Sequence, residues 1–222
     1  MTKIAIVGCT GKLGSAILKN ALNRADVQVS YAIARQGNPF VGRAISELVG
    51  GKNDLPIIDD IELAADCDVY IDCTNAETFM ISSYAKYEKM GKALVIATTA
   101  FSAADLERIQ KLSANMPVFM SGNFSVALHD FIETLKFAVR KISANRELDA
   151  GRINICSIRG GNIFGEHEVI FANCKDEVVT FRHQVSSRET FADGAVEVSL
   201  WTDRQQSGLY CMDDFCNRED GF

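Results

Sequence analysis

Gly8, Gly11 and Gly14 are spaced G-x-x-G-x-x-G within KIAIVGCTGKLGSAIL. The apolar run before them reads as a buried strand, and the residues after them put Leu13, Ile17 and Ala21 on one helical face. A glycine turn in that setting lets backbone approach a pyrophosphate, whose charge then meets the helix N-terminus. The motif alone is weak. The flanking strand and helix make it a dinucleotide-binding fingerprint, against the plain alternative of a tight turn that needs small residues. In such sites an Asp or Glu about 20 residues beyond the glycines accepts from the ribose 2′-hydroxyl. Here that place holds Ala34, followed by Arg35. Without the carboxylate there is neither an acceptor for the hydroxyl nor repulsion against a 2′-phosphate, and the Arg35 guanidinium can pair with such a phosphate. These residues favour NADPH, with NADH as the lesser choice. The other reading makes Arg35 an ordinary loop arginine.

Residues of the right type also close later strands. DCTNAE (72–77) and ATTAFS (97–102) follow the fourth and fifth strand patterns, and ligands of open α/β sheets sit outside the carboxyl ends of strands. Thr74, Thr98 and Thr99 can therefore line ribose and nicotinamide, or they merely cap helices.

The elements that must position these groups alternate. Strands are expected at 27–34, 55–59, 68–74, 93–99 and 117–121. Helices lie between them: DIELAAD behind Asp59 or Asp60 as cap, AETFMISSYAKYEKM ending at Gly91, and AADLERIQKLSAN opened by a Ser102–Asp105 capping box. Strands and helices at this spacing imply a parallel sheet covered on both faces, an α/β fold of the Rossmann type, doubly wound. From Ser125 the pattern changes. VALHDFIETLKFAVRKI reads as a long amphipathic helix with Leu128, Phe131, Ile132, Leu135, Val139 and Ile142 on one side. Strand runs follow in RINICSI, HEVIFANC and EVVTFRHQV, with CKDE (174–177) as a turn, and FADGAVEVSLWT reads as a helix. The expected division is a dinucleotide domain at 1–123, with 207–222 packing back on it. A smaller α+β domain with a mixed or antiparallel sheet, for substrate and oligomerisation, is expected at 124–206.

Composition narrows the classes. The chain has 222 residues, 47% of them hydrophobic, enough for one large or two small cores. No apolar run reaches the roughly 18 residues of a membrane span, and the start does not read as a signal peptide. The net charge of −6 argues against nucleic acid as a partner. Cysteines 9, 67, 73, 156, 174, 211 and 216 form no CxxC or CxxH pair, so they read as reduced cytoplasmic thiols, and no metal site is expected.

Taken together, GCTGKLG, AIARQG, DVYIDCTNAE, GKALVIATTAFS, GNFSVAL, SIRGGNIFGEHEVIF, HQVSSRETFADGA and SGLYCMDDF resemble the dihydrodipicolinate reductase family, in order and over nearly the whole chain. The resemblance implies a cytoplasmic enzyme of the lysine and diaminopimelate pathway. Such an enzyme uses NADH or NADPH to reduce a cyclic, unsaturated dicarboxylate, and its C-terminal sheet builds a homotetramer. It also implies that Gly8, Thr10, Gly11, Lys12, Leu13, Gly14, Arg35, Cys73, Thr74, Thr98, Thr99, Phe101, Asn123, Phe124, Ser125 and Arg188 contact the cofactor.

Departures from the family pattern are concentrated. Ala34 replaces an acid and Lys12 an arginine; Ala97 and Ala100 replace glycines of a Gly-Thr-Thr-Gly turn; Ala127 replaces a glycine; His129 stands where Asn is common. After the long helix the family carries Glu-x-His-His-x-x-Lys and Asp-Ala-Pro-Ser-Gly-Thr-Ala, which supply the proton, positive charge and a carboxylate site. Here SANRELDAG joins that helix almost directly to the strand run leading into Arg159, and the segment is absent. Among what remains, Arg159, Glu166, His167 and His183 read as structural, and Ser187 and Arg188 match a loop near the cofactor or a neighbouring subunit. His129 is the candidate general acid, against a plain helix-surface role. The expected function is an NADPH-dependent reductase acting on a cyclic imine or unsaturated dicarboxylate, as a homo-oligomer, with altered or much reduced activity on the usual substrate. The alternative is a non-catalytic NADP-binding paralogue with a regulatory or assembly role.

Overall fold

The computed structural model describes residues 1–144, 154–157, 164–172 and 177–218. They divide into a first unit, Met1–Phe124 with Glu189–Phe222, and a second, Ser125–Arg188.

The first unit is built on a parallel sheet. Its strands are β1 (Thr2–Val7), β2 (Val27–Ile33), β3 (Ile57–Ile58), β4 (Val69–Asp72), β5 (Ala93–Ile96), β6 (Pro117–Met120) and, from the end of the chain, β9 (Gly208–Tyr210). Their order, β3-β2-β1-β4-β5-β6-β9, reverses direction between β1 and β4, which puts a crevice at the carboxyl ends of those two strands. β1, β4 and β5 are almost wholly buried, which explains why they read as continuous apolar runs rather than alternating ones.

Helices cover the sheet. α1 (Lys12–Leu22) buries Ile17 and Ala21, as its apolar spacing predicts, together with Leu18, and leaves Leu13 half-buried. α2 (Ile45–Val49) is a single short turn that periodicity is too brief to reveal. Ile61–Ala64 winds as a 3-10 turn, with the Asp60 side chain accepting from the Glu62 N–H. The helix expected from 76 to 90 is present in three pieces: α3 (Ala76–Thr78), a π turn over Phe79–Ser83, and α4 (Tyr84–Met90), which stops at Gly91 with φ 59°. α5 (Ala103–Leu112) opens with the reciprocal Ser102–Asp105 capping box.

The first unit also claims α7 (Glu189–Thr202), a correction to the expected boundary at 206/207. The reason is topological. β9 runs parallel to β6, and parallel neighbours need a crossover connection, commonly a helix. α7 is that helix, burying Ala192, Ala195, Val196 and Val198 against α1 and the central strands. Gly194 is obligatory there, because a Cβ would lie 1.9 Å from the Phe124 carbonyl oxygen. At the sheet edge Trp201 meets Phe119, Tyr210 and Phe215 edge-on, tying α7 to β6, β9 and α8 (Met212–Cys216).

The second unit holds α6 (Val126–Ala144) and an antiparallel pair, β7 (Gly165–Ala172) and β8 (Val178–Val185). The strands are as expected in type. Residues 154–157, part of the expected run RINICSI, form no regular element; the rest of that run, Arg159, and CKDE apart from Glu177 lie outside the described residues. On α6 the apolar stripe is only partly covered. Leu128, Phe131, Leu135 and Ile142 are half-buried, whereas Ile132 and Val139 are 42% and 44% exposed, and Phe137, outside the stripe, is 56% exposed.

Candidate nucleotide site

The crevice of the first unit gathers most of the residues singled out above. Gly8 follows β1 with φ 83°, a conformation that favours glycine, and its N–H donates to the Ile33 carbonyl at the end of β2. A Cβ on Gly8 would lie 3.0 Å from the Cys73 backbone and 3.2 Å from the Thr74 methyl. On Gly14 it would lie 2.3 Å from the Gly8 carbonyl oxygen, so the turn could not close on α1. Two of the three glycines are thus required by contact, and both contacts shape the same cradle. Gly11 is the N-cap of α1 and offers no side chain, which leaves the first-turn N–H groups to a ligand. An anion fits that arrangement of N–H groups and helix dipole.

Arg35 lies just beyond β2 and is exposed, as is Lys12 in the first turn of α1. Among the described residues neither side chain makes a hydrogen bond or ion pair, so both cations at the cradle are available to phosphate. Ala34 is buried, its N–H bonded to the Ile58 carbonyl. The loop after Arg35 is tied to the glycine turn by Asn38, whose amide donates to the Thr10 hydroxyl at 3.2 Å. Leu13, in the first turn of α1, is half-buried.

Asp72, the last residue of β4, holds the opposite wall. It is fully buried, yet both carboxylate oxygens are occupied. Oδ1 accepts from the Thr74 N–H (3.0 Å), the Thr74 hydroxyl (2.6 Å) and the Thr98 hydroxyl (2.9 Å); Oδ2 accepts from the Tyr87 hydroxyl (2.6 Å). Burial pushes its carboxyl above the ordinary aspartate range, against the downward pull of those four bonds. Thr74 and Thr98 are therefore anchored to one carboxylate, which fixes the loops after β4 and β5 to each other. Thr74 and Thr98, singled out from the sequence, meet here, whereas Asp72, Tyr87 and Asn38 were not singled out. A lone acid closing the apolar run VYID was the available signal for the first.

The β5 loop continues through exposed Thr99 and Ala100 to Phe101, which packs edge-on against Phe79 at 5.2 Å. Past β6, the Ser121 hydroxyl donates to the Asn123 carbonyl, and Phe124 is buried against Phe119. Burial pushes the Cys9 thiol up to about 12 and the Cys73 thiol higher, which disfavours the thiolate at neutral pH. Ser125, His129 and Arg188 belong to the second unit. Ser125 accepts from the Leu128 N–H and so caps α6, His129 lies buried in the next turn, and Arg188 stacks on Phe164 at 4.9 Å. In the same unit, burial and the neighbouring His167 hold His183 below the usual histidine range.

Comparison with known proteins agrees with this geometry. Residues 2–124 match the model of the dihydrodipicolinate reductase N-terminus, and residues 92–216 that of its C-terminus. The chain belongs to the dihydrodipicolinate reductase family. It is 29% identical over 265 residues to the 4-hydroxy-tetrahydrodipicolinate reductase of Pseudomonas fluorescens (strain Pf0-1), covering 96% of this chain and 98% of that one. The Hahella chejuensis (strain KCTC 2396) enzyme of that name is 30% identical over 264 residues, again 96% and 98% of the two chains. The fold matches that of a dipicolinate-bound dihydrodipicolinate reductase from Paenisporosarcina sp. TG-14 at a TM-score of 0.67 and 16% identity, over 95% of this chain and 97% of that one. Because the relatives are matched nearly end to end over more residues than the 222 of this chain, they carry residues with no counterpart here.

One departure from the family pattern has a visible cost. Ala100, where the family turn has glycine, sits at φ 67° and is the only non-glycine at positive φ among the described residues. The left-handed conformation costs an ordinary residue about 1–2 kcal/mol. Ala100→Gly is expected to stabilise the protein by about 1 kcal/mol, after the greater freedom of glycine in the unfolded chain is subtracted. Thermal unfolding followed by circular dichroism should show a rise of roughly 2–4 °C for a chain of this size. No rise would mean that the turn relaxes around the methyl group.

Proposed function

We propose that this chain is an NADPH-dependent reductase of the lysine-pathway type, acting on a cyclic imine or unsaturated dicarboxylate, with its activity on the usual family substrate much reduced. The observation that carries the cofactor reading is the cradle at the β1–β4 crevice with an uncommitted Arg35 beside a buried Ala34. Gly8, Gly11 and Gly14 admit the pyrophosphate, the α1 N-terminus and Lys12 meet its charge, and Arg35 pairs with the 2′-phosphate. Thr74 and Thr98, fixed by Asp72, orient the ribose and the ring with Thr99, and Phe101, Asn123 and Phe124 complete the wall. Bound NADPH supplies the hydride. Ser125 and Arg188 are the remaining cofactor-binding candidates, and His129 is the candidate general acid.

Arg35→Ala tests the cofactor assignment. Its loss should weaken NADPH binding by roughly 10–100-fold, the worth of a charge-assisted pair at about 1.5–3 kcal/mol, and leave NADH nearly unchanged. Fluorescence titration of both nucleotides reads this directly, and equal losses for the two would remove Arg35 from the phosphate site.

A second reading, a non-catalytic NADP-binding paralogue, is favoured by one fact: the signature Glu-x-His-His-x-x-Lys is absent, and the chain has only three histidines, at 129, 167 and 183. Oxidation of NADPH with a panel of cyclic imines separates the two. In both readings the chain is a homo-oligomer, which the partly uncovered stripe of α6 supports.

A further inference from the structure

Two imidazoles face each other on the hairpin of the second unit. The antiparallel register sets His167 on β7 directly opposite His183 on β8. Their Nδ1 atoms are 3.3 Å apart, and the rings lie 5.6 Å between centroids at an interplanar angle of 30°. Alternation places Val169, Phe181 and Val185 on the same face, and the Phe131 ring of α6 lies 5.7 Å from that of His183. His183 is half-buried and His167 exposed, so the pair is held on an apolar platform yet open to solvent on one side.

That separation is long for a hydrogen bond between ring nitrogens, since N–H donors usually sit about 2.9–3.0 Å from their acceptors. It matches a different geometry. Two imidazole nitrogens bound at about 2.0–2.1 Å to one tetrahedral zinc ion stand roughly 3.3 Å from each other. When both rings are neutral with the proton on Nε2, both Nδ1 lone pairs point into the same gap. An ion can then enter without displacing a net proton. Imidazole nitrogen suits zinc, nickel and copper, whereas magnesium and calcium prefer oxygen.

We propose that His167 and His183 form a two-imidazole site for a divalent first-row transition ion of the zinc, nickel and copper class, bound through both Nδ1 atoms with water completing the coordination. Both ligands belong to the second unit. The site joins two strands across the sheet, so the bound ion crosslinks the hairpin and stabilises the second unit. Ligands sixteen positions apart on separate strands have no signature in sequence spacing, which is why the cysteine and histidine pattern pointed to no metal.

The test is zinc titration of the full-length protein, labelled with nitrogen-15 and followed through the long-range proton–nitrogen signals of the imidazoles. The Nδ1 resonances of His167 and His183 should move together and saturate at one equivalent, while magnesium at the same concentration moves neither. His167→Gln and His183→Gln should each weaken zinc binding by at least about 10-fold, as removal of a directly bound ligand should cost no less than loss of an outer-shell partner. Should either variant fail to fold, the wild-type spectra alone decide. Zinc that shifts only one of the two rings, or is taken up by thiolates with both imidazoles unmoved, overturns the proposal. So does a His183→Gln variant in which His167 binds with unchanged affinity.

Discussion

Turnover of 4-hydroxy-tetrahydrodipicolinate with NADPH is expected to be at least about 10³-fold slower with this chain than with a relative that carries the complete segment after the long helix. Reduction adds a hydride at one carbon and a proton at its neighbour, and the nucleotide provides only the first. Loss of a general acid typically costs about 10²–10⁴-fold, and loss of cationic partners to a dicarboxylate adds to that. Arginines can recover some binding but are poor proton donors, because they stay protonated near neutral pH. Of the three histidines, His167 and His183 face each other on the hairpin, which leaves His129 in α6. Loss of NADPH absorbance, with substrate generated in situ, measures the rate. A rate equal to that of a full-length relative would mean that acid and carboxylate partners have been rebuilt from other residues. If turnover is slow but measurable, His129→Asn should abolish most of it; an unchanged rate would take His129 out of the reaction.

The largest expected effect on stability lies at Asp72. Replacing it with Ala strands the Tyr87 and Thr98 hydroxyls in a dry interior and releases the Thr74 turn. At about 1–3 kcal/mol for each buried donor left unsatisfied, Asp72→Ala should cost roughly 3–5 kcal/mol and lower the melting temperature by about 10 °C. Asp72→Asn keeps the shape and one acceptor, and the Tyr87 hydroxyl can reverse to accept from the new amide, so its cost should be well under half of that. The same pair of variants should separate cofactor effects. Asp72→Asn leaves Thr98 a partner, whereas Asp72→Ala frees both threonine loops and should raise the dissociation constant for either nucleotide. Equal melting temperatures for the two variants would show that the carboxylate fills space and organises nothing.

The glycine turn, the alternating sheet and the capping box were legible because each is written locally, in a few neighbouring residues. Ala34 and Arg35 were legible for the same reason, as a departure from a fixed offset. What the sequence hid depends on contacts between distant residues. Asp72 reads as one acid in VYIDCT, and only the fold brings Tyr87 and Thr98 to it. FADGAVEVSLWT reads only as a helix, expected in the smaller domain; its place in the first unit follows from the parallel pairing of β9 with β6, a three-residue strand too short to announce itself. The strain at Ala100 needed a dihedral angle, and the imidazole pair needed the register of two strands.

The close seat of Gly194 beneath the Phe124 carbonyl has an evolutionary consequence. It clamps the point where the chain leaves the nucleotide-binding unit to a helix that begins only five residues earlier, at Glu189, roughly 7.5 Å along the helix axis. Everything between Ser125 and Arg188 is therefore a graft whose two ends are already pinned by the host. A graft held in this way can be trimmed or enlarged at small cost to the host, since each doubling of a closed loop costs only about 0.6 kcal/mol. The two halves of such a protein are free to drift at different rates. A lineage can discard part of its inserted unit and keep an undamaged nucleotide-binding fold on which selection can go on acting.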